Sequence, residues 1–361
     1  MMKKIFIILS AIMLAIVFAV PAGATTDWDF YGSVRMQTFR VYQNENKSAT
    51  GFDDVDSRWG LNAVSRIGAK VHSGDIGGGF EYGHKYGSEY DHDAPSVTLR
   101  KIYGTWDFGM GELTVGKTYT PIHFVTNQVY DNDYGLRGFG AFYVYEPMIQ
   151  VEIEGFKLAL ISPEIGIPPG FIDYDSTFPK VEASYTLSMD TFSAKAFGGW
   201  SEFEIVDIAD KEYDVTCYIY GVAGVVNVGP VTLKAMIWGG QNVGLYGLSY
   251  DPEAEFMPDY DGGTDDIRDN NGYGGVASIG VKINDVIGVE AGYGYVSGED
   301  DTAGKNHNDE AWAAYLQAPI TLAQGVTIVP EIGHYDYEES DNVDDDQGHE
   351  NYFGAKWQIN F

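Results

Sequence analysis

The 361-residue sequence has a single cysteine, Cys217, only 13 prolines, and far fewer cationic than anionic side chains. One cysteine cannot form an intrachain disulfide, which excludes the class of exported proteins that disulfides hold together. The 22 lysines and arginines stand against 53 aspartates and glutamates, giving a formal net charge of −31. Because nucleic-acid binding needs basic patches, this balance argues against nucleic acid as a partner.

Long apolar runs are also scarce, and the one present lies at the N-terminus. Positive charge at Lys3 and Lys4 is followed by an apolar run over Ile5–Val20, broken only by Ser10, and then by the small residues of Ala22–Ala24. This three-part layout predicts a secretory signal peptide at residues 1–24, removed after Ala24. The remaining chain, 25–361, has no apolar run long enough for a membrane-spanning helix.

The stretch "GELTVGKT", Gly111–Thr118, matches the phosphate-binding pattern G-x-x-x-x-G-K-[ST] letter for letter. That pattern needs a strand before it and a helix after it. The residues that follow Lys117 read "TYTPIHF", with Pro121 and several β-branched or aromatic side chains, which do not begin a helix. Alternation inside the match is typical of a strand, so we expect a strand here and no nucleotide site.

Alternation of apolar and polar residues recurs along most of the chain, together with 45 glycines and 26 tyrosines. Lys180–Leu187, Val231–Trp238, Tyr273–Asn284 and Ile287–Tyr295 each place apolar side chains on one face and small or polar ones on the other. Such strands fit a soluble β-sandwich or a membrane barrel. Many segments alternate for ten or more residues, which favours the tilted strands that span a membrane over the shorter strands of soluble sheets.

The connections between these segments alternate between short and long. Seven short turns and eight long polar loops join sixteen predicted strands. The long loops are predicted at 43–57, 87–96, 119–147, 163–179, 202–213, 242–271, 299–309 and 337–350. This pattern predicts an all-β fold: a transmembrane antiparallel β-barrel of about 16 strands, with short periplasmic turns and long extracellular loops.

The C-terminus supports the same fold. In "NYFGAKWQINF" the side chains of Phe353, Trp357 and Phe361 share one face, while Lys356 and Gln358 lie on the other. Chain ends normally fray, so a regular terminal strand predicts that it pairs with the first strand and closes the barrel.

Four stretches together resemble the general diffusion porins of Gram-negative outer membranes. They are the C-terminal strand ending in Phe361 and the segments "DFYGSVRM", "SRIGAKV" and "LRKIYGTWDFGMGELTVGKTYTP". The resemblance covers essentially all of 25–361. It implies an outer-membrane homotrimer surrounded by lipid, through which small hydrophilic solutes and ions diffuse passively. It also implies that the third long loop, 119–147, folds into the lumen and narrows the pore.

The same resemblance implies a constriction in which acidic residues of that loop face a basic cluster on the wall. The matching positions are Arg66 and Arg100 on the wall with Arg137 beside them, and Asp131 and Asp133 on the loop. The loop lacks the short P-E-x-x-G run common in this family, and Ser33 stands where a first-strand lysine is usual.

Physical reasoning adds four pore-lining candidates, Arg35, Lys70, Lys282 and Glu290. A lysine or arginine that faces lipid at mid-depth costs about 2–4 kcal/mol, whereas one in a watery lumen costs little. Lys117 is the exception, because strict alternation places it with Leu113 and Val115. We expect the acidic mouth to attract cations and the deeper arginines to oppose that preference, which leaves a mild selectivity for cations.

Other chemistries are weakly supported. The seven histidines form no H-x-x-x-H or H-E-x-x-H pattern and no G-x-S-x-G elbow is present, so we do not expect an enzyme. The acidic loops 251–272 and 338–350 lack the residue spacing of a calcium-binding loop. We expect them to be solvated charged loops, with weak Ca²⁺ binding as the alternative. No cofactor is expected. Cys217 is expected to be a small apolar surface residue. A solute-specific channel and a non-conducting structural or adhesive barrel remain alternatives.

Overall fold

The computed structural model describes residues 26–47, 53–85, 96–162, 171–176, 178–207, 211–248, 256, 258–261, 266–300, 308–337, 339–340 and 343–361. The predicted signal peptide, 1–24, lies outside these residues. Six of the fifteen acidic positions in the loops 251–272 and 338–350 that were considered for calcium also lie outside them: Asp251, Glu253, Glu255, Asp265, Glu338 and Asp341.

One closed antiparallel barrel of sixteen strands dominates the fold, and three of its strands are each interrupted once. In chain order the strands are β1 Asp27–Gln43, β2 Asp54–Leu61 with Arg66–Ser73, β3 Ile76–Lys85, β4 Ser96–Asp107, β5 Glu112–Tyr119, β6 Tyr145–Ile153, β7 Phe156–Ile161, β8 Phe171–Asp175 with Lys180–Ser188, β9 Phe192–Asp207, β10 Glu212–Val228, β11 Val231–Gln241, β12 Asn270–Lys282, β13 Gly288–Asp300, β14 Asn308–Gln317 with Ile320–Ala323, β15 Val326–Tyr337 and β16 His349–Asn360.

Four short elements lie outside the barrel wall. Two are small hairpins, Asp259–Asp261 with Asp266–Arg268 and Glu339–Ser340 with Val343–Asp346. The other two are single helical turns, Tyr130–Asp133 and the 3₁₀ turn Val243–Tyr246. Among the residues described, no helix is both long and apolar enough to cross a membrane.

The last strand closes the barrel on the first, as the C-terminal pattern predicted. β16 pairs with β1 from Ser33 opposite Asn360 to Gln43 opposite Glu350. Backbone hydrogen bonds then join Gly32 and Phe361 in both directions, at 2.8 and 3.1 Å. Closure leaves no strand edge unpaired, which the interior of a membrane requires. The predicted count of sixteen strands and the all-β barrel class are therefore confirmed.

The stretch that matched the phosphate-binding pattern is part of this wall. Glu112–Tyr119 is strand β5, paired with β4 and β6 along its length. Gly116 has a positive φ of 127°, and a Cβ there would lie 2.3 Å from the carbonyl oxygen of Ile102. Glycine is therefore needed for a close approach between two strands, which explains the match without any nucleotide.

The outer face of the barrel is apolar over its whole circumference. Trp28 is 53 % exposed, Ile279 47 % and Trp357 48 %, and the predicted outward faces of β8, β11, β12, β13 and β16 all point this way. A continuous belt of exposed aromatic and aliphatic side chains on a closed barrel is the surface that hydrocarbon covers.

The inner face departs from the expected polar lining on several strands, among them β1, where Phe39 and Val41 are buried. On β9 and β10 the inward side chains include Phe203, Ile205, Val215 and Ile219, all buried. The prediction for Cys217 was wrong, because it belongs to this inward row and is fully buried. Apolar side chains are stable on an inner wall only where other protein covers them, so this part of the barrel cannot face open water.

Candidate functional site

The segment Thr120–Val144, called the inner loop here, runs along the inner face of the barrel. Its start is held by Glu182 of β8, whose carboxylate accepts the Ile122 N–H at 3.3 Å. Further along, Asn127 Nδ2 donates to Glu290 of β13 at 2.6 Å. Its next residues reach Glu331 of β15, so carboxylates from three separated strands hold one loop.

Glu331 shows how this anchoring works. One carboxylate oxygen accepts the Val129 N–H at 2.8 Å, and the other accepts the Tyr130 N–H at 2.9 Å and the Tyr352 hydroxyl at 3.0 Å. Glu331 is only 4 % exposed. Backbone N–H groups of a buried loop need acceptors, and an ionised acceptor makes stronger bonds than a neutral one.

Close backbone packing fixes the second half of the inner loop. A Cβ on Gly140 would lie 2.5 Å from the carbonyl oxygen of Gly275 on β12, and one on Gly294 of β13 would lie 2.2 Å from that of Phe139. Trp238 of β11 donates its indole N–H to the Gly140 carbonyl at 3.0 Å. Glycines on loop and wall thus allow direct contact, which leaves no solvent layer between them.

A left-handed turn brings an acidic residue of the loop to the wall. Asp131, Asn132 and Asp133 have φ values of 51°, 62° and 64°. Asp and Asn tolerate this region better than other non-glycine residues, which explains why the sequence "DND" can form it. The turn is tied down because Asn132 accepts the Ala63 N–H at 3.0 Å, in the interruption of β2.

Asp133 lies between two cations and forms what we call the first triad. Its carboxylate pairs with Arg35 of β1, and both of its oxygens lie 3.1 Å from the Lys356 ammonium of β16. All three side chains are largely buried, at 13, 9 and 10 % exposure for Arg35, Asp133 and Lys356. Two cations share one carboxylate, so the triad carries a net positive charge.

The second triad is built in the same way from Arg66, Glu81 and Arg100. Glu81 of β3 accepts from Arg100 Nε at 2.7 Å and lies 3.3 Å from Arg66 Nε. Arg100 also donates to the hydroxyl of Tyr143, on the inner loop, at 2.7 Å. This group too has one more positive than negative charge, and it joins the wall directly to the loop.

A bulge adds a further cation beside the second triad. The β3–β4 register shifts between Glu81 and Tyr82, so Arg100 is the extra residue between Leu99 and Lys101. An extra residue lets two consecutive side chains face the same way. Lys101 is paired opposite Glu81 and therefore faces inward, with its ammonium 3.7 Å from the centre of the Tyr119 ring.

The residues predicted for the constriction are therefore grouped differently from the expectation. Asp133 does face wall cations, but they are Arg35 and Lys356, whereas Arg66 and Arg100 are held by Glu81. Asp131 lies next to Asp133 in the left-handed turn and accepts from Asn132 Nδ2 at 3.5 Å.

Arg137 does not join the wall arginines. It is a residue of the inner loop, its Nε donates to the Gly247 carbonyl at 3.3 Å, and its guanidinium lies 5.7 Å from the centre of the Tyr134 ring.

The four pore-lining candidates lie in different parts of the barrel. Arg35 belongs to the first triad, and Glu290 is a loop anchor that also accepts from Tyr315 at 2.6 Å. Lys70 is exposed near the end of β2. Lys282 is placed at the barrel rim rather than along the pore, because it is 65 % exposed and pairs with Asp285 in the following turn at 2.7 Å.

Lys117 stays on the face that strict alternation predicted, because its strand partner Ile102 is exposed on the outer face. It lies opposite Ile102 and Pro147, directly after the irregular Gly116, and its ammonium is 5.2 Å from the centre of the Tyr145 ring. Contact with the ring face stabilises a cation at the end of a strand.

Aromatic side chains surround the junction of loop and wall. Tyr119 stacks on His123 with 4.0 Å between ring centres, and Tyr143 lies 5.9 Å from Tyr119 and 5.0 Å from Tyr134. His123 Nδ1 accepts the Val144 N–H at 3.2 Å. Burial, and then the nearby cations of Lys195, Lys101 and Arg100, lower the pKa of His123 to about 3. The ring is therefore neutral at any physiological pH.

Several functional side chains were not predicted from the sequence: Glu81, Lys101, Lys356, Glu182, Glu331 and Tyr143. Glu331 and Lys356 stand on the polar faces of alternating strands, so they could have been selected as inward residues. Their partners on the inner loop carry no periodic signal. Among the described residues, no group of three or more His, Cys, Asp or Glu side chains has the arrangement of a metal site.

No family model matches this chain, and no curated protein sequence matches it. Solved structures do match it. The outer membrane channel DcaP of Acinetobacter baumannii has 16 % sequence identity and a TM-score of 0.71, with 93 % of this chain and 97 % of that chain covered.

Two more distant structures cover the same share of the chain. OmpT of Vibrio cholerae, an outer membrane protein in its trimer form, has 17 % identity and a TM-score of 0.61, covering 93 % of this chain and 100 % of that one. An anion-selective porin from Comamonas acidovorans has 12 % identity and a TM-score of 0.61, with 93 % and 100 % covered. At these identities the likeness establishes the fold alone: this chain folds as a sixteen-stranded barrel similar to the barrels of these outer-membrane proteins.

Proposed function

We propose that this protein is an outer-membrane porin through which small hydrophilic solutes and ions diffuse passively. The observation that carries the proposal is the inner loop: it lies within a closed barrel with an apolar exterior and is anchored on several strands by buried carboxylates. A structural or adhesive barrel has no need to hold a polar loop in this position. The porin fold of the neighbours supports the same function and an outer-membrane location.

The charge around the inner loop supports a preference for anions. Each triad holds two cations and one carboxylate, and Lys101 adds a further positive charge. Fixed charges close to the path of an ion act more strongly than distant charges at the mouth, which salt screens over about 10 Å at 0.1 M ionic strength. We therefore propose that the narrow zone is positive and favours anions, in place of the mild cation selectivity expected from the sequence, although the whole chain is strongly negative.

Liposome swelling with neutral sugars of increasing size tests the diffusion proposal. We expect swelling rates that fall smoothly with solute size and rise linearly with solute concentration. Vesicles that contain folded protein but do not swell with even the smallest sugar would refute the porin function and favour a structural barrel.

We also propose that the protein is a homotrimer, which native mass spectrometry in detergent tests.

A solute-specific channel is a second candidate, and the aromatic side chains around Tyr119 favour it. Tyr119, His123, Tyr134 and Tyr143 form a continuous group of ring contacts beside Lys101 and Arg100. Ring faces bind the apolar side of a solute while nearby cations bind its polar groups. In the same swelling assay, a rate that saturates for one solute and not for others would support this candidate over simple diffusion.

A further inference from the structure

A second segment of the chain also lies inside the barrel. We call it the second insert: Asn242–Leu248, which contains the 3₁₀ turn Val243–Tyr246, together with Phe256. The sequence predicted only a long external loop over 242–271. Four side chains of the insert, Val243, Tyr246, Leu248 and Phe256, are no more than 1 % exposed. The two parts of the insert are joined because Gly244 N–H donates to the Phe256 carbonyl at 2.8 Å.

The inner faces of β8 to β12 hold the second insert. The Tyr246 hydroxyl donates to the Cys217 carbonyl at 3.2 Å, and the Lys180 ammonium donates to the Leu245 carbonyl at 3.1 Å. Wall glycines leave room for its side chains: a Cβ on Gly199 would lie 2.5 Å from the Tyr246 ring, and one on Gly272 would lie 2.7 Å from the Phe256 ring. The insert therefore occupies space that would otherwise belong to the lumen.

Asn242 fixes the point at which the second insert leaves the wall. Its φ of 53° is in the left-handed region, which asparagine tolerates. Its side chain donates to the Thr216 carbonyl at 3.0 Å and to Asp269 at 2.7 Å, and accepts the Asn270 N–H at 2.9 Å. These bonds turn the chain inward immediately after β11 ends and return it at the start of β12.

The second insert also touches the inner loop. Arg137 Nε donates to the Gly247 carbonyl, and a Cβ on Gly247 would lie 2.8 Å from the Val144 side chain. Trp238 of β11 lies between the two segments, 5.4 Å from Phe142 of the loop and 6.1 Å from Phe256 of the insert, by ring centres. Part of the inner loop therefore packs together with the insert over the inner faces of β8 to β12.

We infer that the second insert is a pore-narrowing element which closes the β8–β12 side of the lumen, so that solutes pass along the opposite side, past the two charged triads. This inference rests on the proposed porin function. It accounts for the apolar inner row of Phe203, Ile205, Val215 and Ile219, which is covered by protein and does not meet the solute path.

Cys217 provides a native reporter for this inference. It is the single cysteine of the chain, lies on the inner face beneath Tyr246, and is fully buried. We expect no labelling of Cys217 by a small charged thiol reagent added to folded protein in vesicles. The Cys217 thiol should become reactive in two variants. One is Tyr246→Ala, and in the other a Gly-Ser segment of equal length replaces residues 243–248. Tyr246→Phe keeps the ring and should stay protected.

Conductance of the same variants tests the functional part. We expect the single-channel conductance of the 243–248 replacement to rise on the order of 1.5- to 2-fold, because lumen-filling side chains are replaced by water. Tyr246→Phe should match wild type. Circular dichroism identifies the folded samples, and Tyr246→Ala supplies the test if the replacement does not fold. Equal conductance in wild type and a folded variant with reactive Cys217 would overturn the inference. A wild type that does not conduct would instead refute the porin function, while labelling would still report whether the insert is docked.

Discussion

Replacing Asp133 by asparagine should make the channel more selective for anions. Asp133 is the one carboxylate between Arg35 and Lys356 in the first triad, and Asp133→Asn raises the net charge of that group by one unit. The inner loop should stay in place, because Asn132 keeps its hydrogen bonds to Gln37 and to the Ala63 N–H. The variant therefore changes charge with little change in the shape of the narrow zone.

The size of the effect follows from Coulomb's law. An ion that passes about 5 Å from the substituted group, in a water-filled path, gains or loses about 0.8 kcal/mol. Screening at 0.1 M salt reduces this to about 0.5 kcal/mol, roughly a 2.3-fold change for each ion. Anions are favoured and cations disfavoured by the same factor, so the ratio of anion to cation permeability should rise about five-fold.

Reversal potentials across a tenfold KCl gradient measure that ratio directly. Asp285→Asn is the matched control, because it removes the same charge from a turn at the barrel rim, where the Asp285 side chain is 94 % exposed. We expect the control to leave the reversal potential unchanged. If Asp133→Asn and Asp285→Asn give the same reversal potential as wild type, the first triad does not border the ion path and the reasoning is refuted.

Three further predictions concern the anchoring of the inner loop. Glu331→Gln should lower the free energy of unfolding by about 2 kcal/mol in urea titrations, since the amide NH₂ cannot accept the bonds that a carboxylate oxygen accepts, and an unsatisfied buried donor costs about 1–3 kcal/mol; an unchanged midpoint would contradict the anchoring role. Trp238→Phe loses the bond to Gly140 and should cost about 0.5–1.5 kcal/mol in the same assay. The pKa of His123 falls from 6.5 to about 3 on folding. Between these two values the unfolded chain binds a proton that the folded protein does not, so the free energy of unfolding decreases as pH falls from about 6.5 toward 3. His123→Gln should therefore lose less stability than wild type between pH 6.5 and 4, and equal losses would argue against a buried neutral ring.

The wall of the barrel could be predicted from the sequence because each strand reports its own environment. Ile279 and Trp357 stand on faces that hydrocarbon must cover, and a two-residue period reveals such faces without knowledge of any partner. The closing of β16 on β1 followed from the regular register that ends at Phe361. These inferences needed only local spacing and the dimensions of a membrane.

The charged site could be predicted only in part. The sequence placed Arg66 and Arg100 on the wall and Asp133 on the loop, but their partners depend on the path of the inner loop and on the bulge at Glu81. That path is set by hydrogen bonds to separated strands, such as those of Glu331, which no sequence period records. The sequence therefore could not predict which acidic residue pairs with which basic residue.

The sequence of β9 and β10 contains a signal of the second insert. At the end of β9 the alternation persists, but the polar residues Glu202 and Glu204 face outward while Phe203 and Ile205 face inward. An inversion of this kind marks the part of a strand that extends beyond the membrane and faces covering protein. The same inversion at Tyr213, Val215 and Cys217 on β10 indicates that an internal segment covers both strands.

Single-channel recording of the purified protein in planar bilayers across a KCl gradient tests the central claim most directly. We predict stepwise currents that vary linearly with voltage and a reversal potential on the anion-selective side, because we propose that ions pass along the two positive triads. Folded protein that inserts without current steps, or a channel that reverses firmly on the cation-selective side, would contradict the account.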